Sequence, residues 1–144
     1  KMQREFRHDV DAGDQITMAL SRAASEAAID ADVAAILCCT RSGRTARAMA
    51  RFRPVARMVG LSPDPKVVRT MALTWGIEPI KVDTYSSTDE MVWFAVETAM
   101  GHGVADHGDT VIVLAGAPTV LQETRAGLGH KDVATDVLRL VCVD

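Results

Sequence analysis

The sequence predicts an α/β fold: a three-layer arrangement with a mostly parallel sheet of about five strands, helices on both faces and a last strand that returns antiparallel. Three observations carry this. Short apolar runs at residues 34–39, 57–61, 77–82 and 110–115 read as strands of a buried sheet. Segments of helical composition and period separate them. No helix clearly divides the fourth run from the last, 137–143, so that strand is free to pair antiparallel at an edge.

The chain has 144 residues, 48% hydrophobic and 24% charged. That suits one domain over 14–144, with 1–13 as a charged lead-in or linker. With 16 basic against 19 acidic residues, the net charge of -3 argues against nucleic acid or an anionic membrane as partner. There is no run long enough to span a bilayer and no secretory signal. Cys38, Cys39 and Cys142 lack metal-ligand spacing and read as reduced core residues, which implies a cytoplasmic protein. Lys1 is no initiator, which fits a fragment, a processed product or a chain started at Met2.

Asp14 is the expected cap of a first helix, with Ile16, Leu20, Ala23, Ala24 and Ala27 as its apolar face, running to about Asp30. The first strand follows and ends at Thr40. The second helix carries Ala46, Met49 and Ala50 inward and ends at Phe52-Arg53-Pro54, since Pro disfavours a helical residue before it. After the second strand, Asp64 caps a helix with Pro65 at its first position. Val68, Met71, Ala72 and Trp75 then fall at i, i+3, i+4 and i+7, and Gly76 is the stop. Beyond the third strand, Ser86, Ser87, Thr88 and Asp89 offer caps for a helix with Met91 or Val92, Ala95 and Ala99 inward, fraying near Gly101 and Gly103. His107-Gly108-Asp109 turns into the fourth strand. Residues 116–136 are long and polar and give no confident helix.

The chemistry concentrates where the first strand meets the second helix. Thr40, Arg41, Ser42, Gly43, Arg44 and Thr45 form a short turn rich in hydroxyls and arginine. Helix-start N–H groups and the helix dipole favour an anion, hydroxyls add donors, and Arg41 and Arg44 add charge. The same residues also read as an ordinary strand-to-helix turn with a solvated arginine pair. Other motifs are absent: no G-x-G-x-x-G follows the first strand, no Gly-Lys-Ser/Thr loop exists, and no Asp ends that strand. His8, His102, His107 and His130 are scattered, with no metal-ligand spacing. Asp89 and Glu90 fit first-turn acids better than a catalytic pair. No nucleophile and base emerge together, so the sequence reads as a binding domain without a catalytic centre.

These motifs resemble the C-terminal domain of pyruvate kinase, bacterial type. Residues 40–45 are similar to its T-x-S-G-R-S/T loop. Phe52-Arg53-Pro54 is similar to its aromatic-Arg-Pro, Trp75-Gly76-Ile77-Glu78-Pro79 to its W/Y-G-I/V-x-P, and the run 108–116 to its G-D-x-V-V/I-x-x-x-G. The four pieces stand in order across about residues 14–143. The resemblance implies a non-catalytic domain that holds an allosteric effector site and part of a subunit contact. The parent reaction, phosphoenolpyruvate and ADP to pyruvate and ATP in glycolysis, belongs to a separate barrel. No cofactor is implied here, because the Mg and K used by the family sit in that barrel. Carried over, Thr40, Arg41, Ser42, Gly43 and Thr45 cradle an effector phosphate, while Arg44 either joins them or lies along the helix surface. Two departures bear on the ligand. Met91 stands where fructose 1,6-bisphosphate-responsive members place an arginine, and the segment 119–136, ending in Thr135-Asp136, replaces a Gly-rich effector loop. The implied partner is a phosphorylated small molecule, a sugar monophosphate or AMP, with self-association also expected. Two alternatives stay open: a turn that has lost its ligand, and a stand-alone phosphate- or nucleotide-sensing or protein-interaction domain.

Overall fold

The computed structural model describes residues 12–115 and 137–144. Its elements are α1 (Ala12–Asp30), β1 (Ala35–Cys39), α2 (Arg44–Arg51), β2 (Arg57–Ser62), α3 (Pro65–Met71), β3 (Ile77–Lys81), α4 (Thr88–Gly101), β4 (Thr110–Ala115) and β5 (Val137–Cys142). The strands form a single five-stranded sheet in the order β3-β2-β1-β4-β5. β1 pairs parallel with both β2 and β4, β2 pairs parallel with β3, and β4 pairs antiparallel with β5. The mixed sheet and the returning edge strand are as the sequence predicts.

Side chains alternate across each strand, and each face has its own core. Ile36, Cys38, Met58, Ile112 and Leu114 pack with Ala24 and Ala28 of α1, Ala46 and Met49 of α2 and Met71 of α3. Leu37, Cys39, Val59, Leu61, Val111 and Val113 pack with Met91, Val92, Ala95 and Ala99 of α4. The layering follows from strand order. From β1 the chain steps outward to β2 and β3, then crosses back to the other side of β1. Right-handed crossovers travelling in opposite directions put their helices on opposite faces. Gly60 lets α3 sit close to β2, since a Cβ there would lie 2.5 Å from the Met71 sulfur.

Four expectations need correction. Of the expected α1 face, Ala24 is buried and Leu20 and Ala27 pack against the core, but Ile16 and Ala23 are exposed and Thr17, Ser21 and Ala28 are buried in their place. Small side chains allow α1 to lie close against α2 and the sheet, and that contact outweighs the larger apolar residues on the neighbouring face. Asp14 lies inside the first turn of α1, which starts at Ala12, and is not its cap. The third helix stops at Met71, before Trp75, which is 54% exposed. β3 must begin at Ile77 to pair with Met58, and the chain closes that gap through tight turns from Leu73 to Thr70 and from Thr74 to Met71. Trp75 instead stacks against Arg53, whose guanidinium carbon lies 4.9 Å from the ring centroid. Finally, Cys142 is exposed on the edge strand, unlike the buried Cys38 and Cys39. The expectations for residues 116–136, and most of the lead-in, lie outside the described residues.

Candidate functional site

All five residues of β1 are buried. The Thr40 N–H donates to the Leu61 carbonyl at 2.9 Å, so pairing with β2 persists one residue past the strand. The chain then turns sharply. The Gly43 N–H donates to Thr40 Oγ1 at 2.8 Å, and the Arg44 N–H donates to Ser42 Oγ at 3.3 Å. Gly43 has φ +88°, in the left-handed region where a side chain is strained. The Arg47 N–H donates to the Gly43 carbonyl at 2.9 Å, which opens α2. Thr40 and Thr45 are buried, Ser42 and Arg44 are half-buried, and Arg41 is exposed.

Three helices follow parallel strands, and their N-termini are finished differently. In α3 the Asp64 carboxylate accepts the Lys66 N–H at 2.9 Å, with Pro65 at the first turn. In α4 the Ser87 hydroxyl accepts the Glu90 N–H at 3.2 Å. The Glu90 carboxylate reaches back to the N–H and hydroxyl of Ser86. That hydroxyl contact, then the N–H, holds the Glu90 carboxyl below the usual glutamate range. In α2 the cap is Gly43, and no side chain caps the helix from that position. α3 and α4 each carry their own carboxylate at the positive end; α2 has no acid in its first turn.

The turn also sits where strand order reverses. β2 and β3 lie on one side of β1, β4 and β5 on the other, and α2 and α4 pack on opposite faces. A crevice beyond the carboxyl ends of the strands at such a switch point is the usual ligand position in open α/β sheets.

The arginines divide. Arg44 Nε lies 3.4 Å from the Asp14 carboxylate of α1, a half-exposed pair. Arg47 was not singled out by sequence reasoning, yet its Nη1 donates to the Ser42 carbonyl at 3.2 Å. A Cβ on Gly43 would lie 2.8 Å from that nitrogen. Helical spacing offered a signal, because a long cation one turn into a helix can fold back on the cap. Met91 is buried beneath α4 with Val92 and Ala95 and presents no cation. Beneath the turn, burial pushes the Cys39 thiol up to about 12 and Cys38 higher still, so neither is a ready nucleophile. Partial burial, then Cys39, pushes Tyr85 up to about 12. A shallow cleft of about 460 Å³ opens elsewhere, between the end of β3 and the C-terminal half of α4, lined by Lys81, Asp83, Tyr85, Thr98 and His102. It includes none of residues 40–45, and an anion held by surface N–H groups needs no deep cavity.

Fold and turn together define an open α/β domain with a strand-to-helix turn at its switch point. The family described as pyruvate kinase, alpha/beta domain, matches residues 18–127. The chain belongs to that family. It is 40% identical over 98 residues to the pyruvate kinase of Clostridium acetobutylicum, covering 68% of this chain and 21% of that protein. It is 37% identical over 103 residues to that of Geobacillus stearothermophilus, covering 72% of this chain and 18% of that one. A solved pyruvate kinase from Cryptosporidium parvum superposes with a TM-score of 0.73 over 90% of this chain and 23% of its own, at 19% identity, which speaks to the fold. The chain thus spans about a fifth of the length of the curated relatives it matches.

Proposed function

We propose that this chain is the regulatory, effector-binding and self-associating domain of a cytoplasmic pyruvate kinase. In this reading it binds a phosphate monoester at residues 40–45 and does no chemistry itself. The observation that carries the reading is the helix start at the switch point, closed by Gly43 instead of by a carboxylate. Thr40 and Ser42 hydroxyls accept bonds within the turn and still hold a proton to donate. Arg41 is exposed and supplies charge in reach of solvent. Met91, buried in the α4 core, supports a monophosphate over a bisphosphate, because it offers no second clamp.

Calorimetric titration of glucose 6-phosphate, ribose 5-phosphate, AMP and fructose 1,6-bisphosphate tests this. The monophosphates should bind at millimolar concentration or below, and the bisphosphate should gain little over them. No binding by any of them defeats the phosphate reading, and tight binding by the bisphosphate alone defeats the role given to Met91. The chain should also show no conversion of phosphoenolpyruvate and ADP in a coupled assay.

A further inference from the structure

We propose that Arg47 is the positioning residue of the turn, clamping the Ser42–Gly43 peptide in one orientation; the consequence for binding rests on the phosphate reading above. That peptide is held at both ends. Its carbonyl accepts from Arg47 Nη1 at 3.2 Å, and its N–H donates to Thr40 Oγ1 at 2.8 Å. Glycine at 43 makes the clamp necessary, because a residue without Cβ allows the adjacent peptide to flip. A flipped peptide would free the Ser42 carbonyl, a partial negative charge, beside the place where an anion is to sit. Glycine also makes the clamp possible, because the guanidinium occupies the space a Cβ would need. Arg44 does not fill this role, since its Nε pairs with Asp14 on another helix. The guanidinium spends one N–H on the carbonyl and is fixed within the turn by doing so.

The Gly43 amide is the reporter, because its hydrogen bond closes the clamp. In Arg47→Ala, Gly43 hydrogen exchange should speed up by about three- to ten-fold, the worth of one exposed hydrogen bond. Inorganic phosphate should bind more weakly by a similar factor. Arg47→Gln separates position from charge: it is neutral and keeps an amide donor, on a side chain two bonds shorter. It should recover part of the slow Gly43 exchange, with phosphate affinity recovering in proportion. If Arg47→Ala leaves Gly43 exchange at the wild-type rate, the clamp is wrong whatever phosphate does. If Arg47→Gln restores exchange but not affinity, the clamp orients the peptide while binding depends on the charge, and the positioning role in binding is overturned. If wild type binds no phosphate while Gly43 exchange still depends on Arg47, the phosphate reading falls and the clamp stands.

Discussion

The starts of α2 and α3 follow neighbouring parallel strands on the same face of one sheet, yet they solve the same problem differently. Each leaves N–H groups without partners in the helix. At α3, Asp64 supplies an acceptor from its own side chain and Pro65 removes one donor. At α2, Gly43 supplies neither, and the adjacent hydroxyls bond within the turn. A helix start completed by its own carboxylate has little call for an external anion. One capped by glycine carries no negative charge of its own in its first turn. The contrast shows how the same topology yields a structural turn in one place and a candidate binding turn in the next.

The largest expected effect comes from breaking α2's side of the contrast. Gly43→Val puts a β-branched residue at positive φ and drives its Cβ into Arg47. It should cost about 1–3 kcal/mol of stability and remove phosphate binding, seen by thermal unfolding and calorimetry. Ser42→Ala comes next. Loss of a hydroxyl donor to an ionised phosphate should weaken binding about ten-fold while the melting temperature falls only slightly, because the bond lost within the turn, from the Arg44 N–H at 3.3 Å, is a long one. Asp64→Ala sharpens the contrast from the other side. It should cost about 1 kcal/mol of stability through the lost α3 cap and leave phosphate affinity unchanged. If Asp64→Ala weakens phosphate binding as much as Ser42→Ala does, the two helix starts are not functionally distinct.

The smallest effect belongs to α4. Glu90 has its folded pKa held below the ordinary value of 4.5 by Ser86. A depressed carboxyl contributes stability above its unfolded pKa and loses it as pH falls through the folded one. The melting-temperature advantage of wild type over Glu90→Gln should therefore be present at neutral pH, begin to shrink as pH falls through 4.5, and be gone once pH passes the lower folded pKa. Solvent screening at this half-exposed position keeps that difference small. An advantage that grew in acid would contradict this capping role.

Where local chemistry decides the backbone, the sequence was a good guide. Pro65 after Asp64, Ser87 before Asp89 and Glu90, and the uninterrupted apolar β1 and β4 each act within a few residues, and all appear as expected. The antiparallel return of β5 was legible from the lack of a clear crossover helix. The candidate turn was legible in its residues, though not in which arginine would lie over it.

What the sequence could not decide are the outcomes set by distant neighbours. Periodicity placed Trp75 on a helix face, but strand pairing of Ile77 with Met58 ended that helix early and left the ring to Arg53. Hydrophobicity favoured Ile16, while close approach to α2 selected the smaller Thr17, Ser21, Ala24 and Ala28. Arg44 pairs with Asp14 because α1 packs beside α2, a contact between elements separated by the whole first strand. Capping, turns and apolar runs are properties of a few consecutive residues and can be read from the chain. The face a helix buries and the partner a long cation takes depend on what packs against it, and tertiary structure alone decides that.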